Sequence, residues 1–178
     1  DPAIPCLVSP NGLQAIKFQD ENILKSVFYT HRLEGGLFRW NEAKRILQGK
    51  LYCRYEKQTK ILFRLHEIYK KLNQIDPFSI KDLNHAYQVL SDHASVESAS
   101  FRTDEDFYIS GGEYLGEAPP ADSISQLIEE LFNWMSKENT THILNSCIIH
   151  YALLYIKPFD HYNGYLARIW QKLILMKE

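Results

Sequence analysis

One stretch near the carboxyl end of the chain gathers residue types that could hold an anion. It covers residues 157–168 and runs KPFDHYNGYLAR. Its Asn163-Gly164 pair permits a tight turn, and a helix that starts there would point free backbone N–H groups at the turn. The same stretch is crowded with Lys157, His161 and two tyrosines. These residue types in this order indicate a loop suited to binding phosphate.

The segments on both sides of this loop predict the helices that position it. From about His142 to Ile156 the chain is apolar nearly all round, which is typical of a buried central helix. After the loop, apolar residues recur at helical spacing and predict the last helix. Those residues are Leu166, Ile169, Trp170, Leu173 and Ile174.

Most of the remaining chain reads as further helices, so we predict a mostly α-helical fold. Apolar periodicity, capping residues and helix breakers predict four helices in the first half of the chain and another beginning at Ser123. The four cover residues 22–32, 41–47, 57–73 and 79–90. Prolines at positions 2, 5 and 10, with Gly12, predict that residues 1–20 form an extended amino-terminal arm.

Between residues 94 and 121 the pattern changes from helical to β. Two short apolar and aromatic runs, residues 107–109 and 114–115, flank the pair Gly111-Gly112. Glycines at such a position can take the positive φ angles of a tight hairpin turn. We therefore predict one short β-hairpin in this segment.

Composition and charge narrow the classes of protein. With 178 residues, 45% of them hydrophobic, the chain can fill the core of one domain. Its formal net charge of −2 gives no overall attraction to nucleic acid or to an anionic membrane, so we expect neither partner. Cys6, Cys53 and Cys147 are far apart and odd in number, which favours a reducing compartment over a disulfide framework. Without a membrane-length apolar stretch or a targeting segment in the sequence, we expect a cytoplasmic protein.

The loop resembles a known signature once these elements are in place. KPFDHYNGYLAR resembles a degenerate form of the Fic-family signature, His-Pro-Phe-x-(Asp/Glu)-Gly-Asn-Gly-Arg-x-x-Arg. The residues that match the signature are Pro158, Phe159, Asn163, Gly164 and Arg168. Its histidine, acid, first glycine and first arginine are replaced by Lys157, His161, Tyr162 and Tyr165.

A second motif resembles the inhibitory helix of Fic proteins. Residues 30–35 read THRLEG and match the pattern (Ser/Thr)-x-x-x-Glu-(Gly/Asn) at Thr30, Glu34 and Gly35. Because this motif precedes the loop, it resembles the subgroup with an amino-terminal inhibitory helix. In that subgroup the glutamate reaches the second arginine of the signature, which implies a contact between Glu34 and Arg168.

The predicted hairpin also falls where Fic proteins carry a flap that docks the target segment. Phe101-Arg102 before the hairpin and residues 117–120 after it resemble the same region. The resemblance implies a Fic domain over residues 21–178, with the inhibitory helix near residues 22–34. The flap residues that it implies are Ile109, Gly111, Gly112 and Tyr114.

Fic enzymes typically transfer AMP from ATP to a hydroxyl group of a target protein, and the resemblance assigns the tasks. The histidine removes a proton, the acid holds Mg²⁺, and the loop and helix start bind phosphate, which implies Asn163, Gly164 and Arg168 as nucleotide-binding residues. Pro158 and Phe159 would be structural. The base position holds Lys157, and a lysine is a cation that cannot take up a proton near neutral pH.

The other replacements weaken the same reaction. A neutral imidazole at position 161 is a poor Mg²⁺ ligand, because Mg²⁺ prefers oxygen ligands. Tyr162 adds a ring where the backbone should approach a phosphate, and Tyr165 removes a cation directed at phosphate. We therefore expect no working catalytic residue and no metal ligand at the signature positions.

Three hypotheses follow from these residues. The favoured one is a Fic-family AMP-transferase homologue with a degenerate, impaired or inactive site that retains nucleotide or protein binding. The second is an active AMP-transferase that modifies Ser, Thr or Tyr hydroxyls, with Asp160 on the metal and His161 as base. The third is a helical protein-interaction domain without nucleotide. The cofactors would be ATP and Mg²⁺ for an active enzyme, whereas an interaction domain would need none. The expected partners are a target protein at the flap and a second copy of the chain.

Overall fold

The chain folds mainly into α-helices, as its periodicity predicts. A computed structural model describes residues 12–52, 55–91, 100–103, 108–111, 114–137 and 141–177. The chain divides into two compact units, Asp1–Lys70 and Lys71–Glu178. Their boundary lies inside the Fic domain that the sequence predicts over residues 21–178.

The first unit is built from three helices. They are α1 (Gly12–Leu33), α2 (Trp40–Leu47) and α3 (Glu56–Lys70). Apolar side chains at helical spacing on α3, among them Leu62 and Leu65, are fully buried. A hydrogen bond of 2.9 Å between the Thr30 and Tyr69 hydroxyl groups joins α1 to α3. The predicted stripe on α3 therefore forms the core of this unit.

Residues 12–20 correct the prediction of an extended arm. They belong to α1, which begins at Gly12 and is longer than the helix predicted from residue 22. Between Gly12 and Gly35 the sequence has no proline or glycine. A helix that has formed at residues 22–32 can therefore extend backward, because each further residue adds a hydrogen bond without a new nucleation step. Residues 1–11 of the predicted arm lie outside the described part of the chain.

Two glycines end α1, as the sequence predicts. Gly35 has a φ of +81°, in the left-handed region that favours glycine. At Gly36 a Cβ atom would lie 2.6 Å from the His31 carbonyl oxygen and closer still to the His31 ring, so no side chain fits there. The Gly36 N–H donates to the His31 carbonyl oxygen at 2.9 Å, which closes the turn after Glu34.

His31, next to this turn, should make the stability of the protein depend on pH. Its side chain is buried and stacks on Phe38 with ring centroids 5.8 Å apart. Burial lowers the pKa of His31 below 6.5, against the opposite effect of a hydrogen bond with Gln58. The unfolded chain then binds a proton that the folded chain resists, so the free energy of unfolding should fall as the pH drops below about 6.5.

Urea unfolding at about pH 7.5 and about pH 5 tests this expectation. His31→Gln should reduce the loss of stability on acidification. Phe38→Leu serves as the control, because it weakens the same packing without removing a titratable group. Burial also lowers the pKa of His66 and of His150, so the loss should shrink rather than vanish. An equal loss in the wild type and in His31→Gln would contradict the assignment.

The described residues of the second unit hold four further α-helices and two strands. They are α4 (Ile80–Ser91), β1 (Tyr108–Gly111), β2 (Tyr114–Glu117), α5 (Ile124–Lys137), α6 (His142–Ile156) and α7 (Asn163–Leu175). Ser79 caps α4 as predicted, accepting a hydrogen bond from the Asp82 N–H at 3.2 Å. Trp170 of α7 is fully buried, and its indole N–H donates to the Pro77 carbonyl oxygen at 2.9 Å. This bond fixes α7 to the turn before α4.

The two strands lie in the segment where the sequence predicts a hairpin. They pair antiparallel, with Tyr108 opposite Glu117 and Gly111 opposite Tyr114. Each strand extends two residues past the apolar run that predicts it. The connection, residues 112–113, lies outside the described residues.

Helix α6 begins and ends at the predicted residues, but it is not buried all round. Tyr151 is 69% exposed and Ile143 is 65% exposed. One face of α6 packs on α7 and α5, whereas the row at positions 143, 147, 151 and 155 faces away from them. Apolar residues all round a helix therefore do not prove that every face is covered. No helix in the described part of the chain combines the length and the hydropathy that a membrane crossing requires.

Candidate functional site

The signature loop connects α6 to α7 and begins with an unusual backbone conformation. Lys157 ends α6 with φ 46° and ψ 66°, in the left-handed region. Its N–H still donates to the Leu153 carbonyl oxygen at 3.1 Å. The half-buried Lys157 is followed by Pro158 and Phe159, which are both buried. The first three signature positions thus anchor the loop in the core of the second unit.

Asn163 closes the loop through two hydrogen bonds to a single residue. Its side-chain oxygen accepts from the Phe159 N–H at 3.1 Å, and its side-chain amide donates to the Phe159 carbonyl oxygen at 2.6 Å. Only a side chain with both a donor and an acceptor can make this pair of bonds. The asparagine of the signature therefore sets the path of the loop backbone.

Tyr162 adopts a backbone conformation that glycine favours, and glycine is the residue that the signature has at this position. It has φ 65° and ψ 8°, and it is the N-cap residue of α7 without a side-chain capping bond. Glycine takes this left-handed conformation at no steric cost, whereas other L-residues do so rarely. The loop has therefore kept a backbone path suited to glycine although the glycine is absent. The start of α7 keeps backbone N–H groups directed at the loop.

The strain at Tyr162 can be measured with two substitutions. Tyr162→Gly and Tyr162→Ala both remove the ring, but only alanine keeps a Cβ atom in the left-handed region. We expect the glycine variant to be more stable by about 0.5–1 kcal/mol in urea unfolding.

Position 151 provides the matched control in an ordinary helix. There Tyr151→Ala should be more stable than Tyr151→Gly by about 1 kcal/mol, because alanine is the better helix former. The order of alanine and glycine should therefore reverse between the two positions. The same order at both would mean that Tyr162 does not hold a positive φ.

Aromatic rings fill the space around the loop. The Tyr162 ring lies 5.8 Å from the Tyr165 ring and 6.5 Å from the Tyr87 ring. Tyr87 stacks on Phe159 with centroids 4.0 Å apart and planes at 9°. Burial raises the pKa of the Tyr87 hydroxyl, and Asp160 and Tyr162 raise it further. Tyr87 therefore stays neutral and acts as packing, and no sequence motif singles it out.

Arg168, the second arginine of the signature, interacts with Tyr165 and with His150. Its guanidinium carbon is 5.9 Å from the centre of the Tyr165 ring, within the range of a cation–π contact. The pKa of His150 is lowered mainly by burial, and the charge of Arg168 lowers it further. Tyr165 is 5% exposed, so the residue that replaces the first arginine packs inside the unit.

The residues at the metal position do not fit Mg²⁺. Asp160 and His161 are both exposed at the tip of the loop. Over the described ranges no group of three or more His, Cys, Asp or Glu side chains converges on a metal site. Mg²⁺ needs several oxygen ligands in octahedral geometry, and a histidine at position 161 supplies none.

Arg102 is the residue near the loop whose importance sequence reasoning missed. It is buried, and its Nε donates to the Lys157 carbonyl oxygen at 2.8 Å. Another guanidinium nitrogen donates to the Pro119 carbonyl oxygen at 2.5 Å, and the Arg102 N–H donates to the Pro158 carbonyl oxygen at 2.9 Å. Arg102 is the only arginine or lysine between Lys81 and Lys137, and this isolated position was the available signal.

The other predicted site residues belong to other elements of the chain. Thr30 bonds to Tyr69, Glu34 is exposed after the last turn of α1, and Gly35 has a positive φ. The contact between Glu34 and Arg168 stays a prediction. Of the predicted flap residues, Ile109 and Gly111 lie in β1 and Tyr114 lies in β2, while Gly112 lies outside the described residues.

A signature loop between two helices, with a strand pair earlier in the chain, agrees with the arrangement that the resemblance implies. The family model described as Fic/DOC family matches residues 77–175, more than half of the chain. The chain therefore belongs to the Fic/DOC family. This confirms the resemblance drawn from the residues.

Solved structures agree with this assignment. The chain is 25% identical to a Fic family protein from Desulfovibrio desulfuricans G20, with a TM-score of 0.82, covering 90% of this chain and 50% of that one. It is 16% identical to a Fic domain containing signaling protein from Bacteroides thetaiotaomicron, with a TM-score of 0.77, covering 94% and 67%. It is 17% identical to Fic-1 (residues 134–508) from C. elegans, with a TM-score of 0.68, covering 93% and 59%. The chain thus spans half to two thirds of the length of these proteins.

Proposed function

We propose that this Fic domain has a degenerate AMP-transfer site, which retains phosphate binding at the start of α7 but is impaired or inactive in transfer. The observation that carries the proposal is the retained loop path. Asn163 still bonds twice to Phe159, and position 162 still has the conformation of a glycine. The backbone that would contact phosphate is therefore kept, while the side chains that would do the chemistry are replaced.

Impaired transfer follows from the side chains at the signature positions. Lys157 at the base position is a cation and does not accept a proton from a hydroxyl group. Tyr165 is packed against Arg168 and supplies no charge to the outer phosphates. Together these changes remove the base and one cation, and position 161 lacks the carboxylate that would hold Mg²⁺.

Two measurements test the proposal. Incubation with ATP labelled at the α-phosphate should give no label on the protein or on proteins of a lysate above background. Label that disappears in His161→Ala would instead support an active transferase with His161 as base. Titration with ATP should show binding that weakens at least about tenfold in Asn163→Ala, because the loop loses its lock. Asn133→Ala, at an exposed position of α5, is the matched control and should bind as the wild type does.

Absence of both AMP transfer and ATP binding in the wild type would favour an interaction domain. If ATP does not bind the wild type at all, the strand pair becomes the leading candidate for function. A segment of a target protein could then add to the edge of β1 or β2 through backbone hydrogen bonds. The retained antiparallel pair of Tyr108–Gly111 and Tyr114–Glu117 is the observation that favours this second function.

The inhibitory motif at residues 30–35 adds a proposal about how nucleotide binding is regulated. We propose that Glu34 competes with the outer phosphates of a nucleotide for Arg168, as the motif implies. Glu34→Gly should then raise the affinity for ATP, whereas Glu42→Gly in α2, another exposed glutamate of the same unit, should not. Equal affinities of the wild type and Glu34→Gly would remove this regulatory part without touching the phosphate site.

A further inference from the structure

Arg102 lies at the base of the segment that carries the strand pair. Residues 102 and 119 bracket β1 and β2, and the guanidinium group of Arg102 donates to the Pro119 carbonyl oxygen. This bond joins the two ends of the segment. The strand pair is therefore closed at its base by one side chain.

The same guanidinium group also holds the end of α6. It donates to the Lys157 carbonyl oxygen at 2.8 Å and to the Ile156 carbonyl oxygen at 3.4 Å. Carbonyl groups in the last turn of a helix have no partner within the helix and carry partial negative charge, so a cation stabilises them. The backbone of Arg102 adds a bond to Pro158. Arg102 thus binds the first two positions of the signature directly.

Only arginine can make this set of bonds with one side chain. Its planar guanidinium group presents five N–H donors in a fixed fork, whereas lysine has a single ammonium group on a flexible stem. Arg102 is 3% exposed, so these bonds are shielded from water and are stronger than surface ones. A movement of Pro119 must therefore be matched by a movement of Lys157, or the bonds are broken.

We propose that Arg102 is a positioning residue that couples the strand pair to the signature loop. A peptide segment bound at the strand pair would shift the populations of the loop conformations. A change in the loop would likewise shift the populations of the strand conformations. The coupling resides in the protein itself, so it goes beyond the proposed nucleotide site and does not depend on it.

Amide hydrogen exchange on the whole chain, without ligand, tests the coupling. Asn163→Ala releases the loop from its lock, and in the wild-type background it should also speed exchange in residues 108–117 by at least about tenfold. In the Arg102→Lys background, Asn163→Ala should not change the rate of exchange in the strands further. That rate should equal the rate in the Arg102→Lys variant alone. A residue that only stabilised the fold would give the same Asn163→Ala effect in both backgrounds, which would overturn the proposal.

Two controls keep the outcome clear. Arg45→Lys, at an exposed position of α2, should not alter the response of the strands to Asn163→Ala. If Arg102→Lys does not fold, the comparison of Asn163→Ala with the wild type still tests the coupling. Strand exchange that is unchanged by Asn163→Ala would also overturn the proposal. ATP titration of the same variants reports separately on the proposed nucleotide site.

Discussion

Restoring the four replaced side chains is expected to produce measurable AMP transfer, which the proposed function expects the wild type to lack. The variant carries Lys157→His, His161→Asp, Tyr162→Gly and Tyr165→Arg. The expectation rests on the loop backbone, which Asn163 still holds and which already has the glycine conformation at position 162. Transfer from α-phosphate-labelled ATP, with Mg²⁺ supplied, is the measurement.

The rescue should be partial and should need the changes together. Catalytic residues act as a unit, so single reversions are expected to do little. Tyr165→Arg places a second cation beside Arg168 at a position that is 5% exposed, and this will cost stability. Adding Glu34→Gly removes the proposed inhibition, and adding Asn163→Ala provides the inactive control. The variant with all five substitutions, including Glu34→Gly, should fold and bind ATP. If it does so and still transfers no AMP, more than these side chains has diverged.

Phe159→Ala is expected to cause the largest loss of stability of any single change described here, about 3–5 kcal/mol. The Phe159 side chain is 0% exposed. It stacks on Tyr87 at 4.0 Å and lies 5.5 Å from Phe101. Removing the ring leaves a cavity that the locked loop cannot fill, since Asn163 holds the Phe159 backbone in place. The free energy of unfolding in urea measures the loss.

Tyr151→Ala in the same unit is the matched control. Tyr151 is also aromatic but is 69% exposed, so its removal should change the free energy of unfolding by less than about 1 kcal/mol. Similar losses for the two variants would mean that Phe159 is not the centre of this packing. Such a result would also weaken the view that the Pro-Phe part of the signature is structural.

Local sequence signals were sufficient for much of the fold. Helix α6 begins after Thr141, which caps it, and ends before the Pro-Phe of the signature, as its apolar run predicts. The glycines after residue 34 end α1, and Ser79 caps α4. These features depend on residues close together in sequence, so a pattern of spacing and breakers captures them. The signature itself, though degenerate, was enough to indicate the Fic/DOC family.

The sequence by itself thus determined most of the helices, the position of the loop and the family, whereas the tertiary structure decided what holds the loop. The bonds of Arg102 to residues 119 and 157 join positions far apart in the chain, and no local pattern predicts them. The exposed face of α6 likewise depends on which neighbours pack on it. The left-handed conformation of Tyr162 persists because Asn163 and the buried Phe159 fix the backbone on either side, and this overrides the preference of tyrosine.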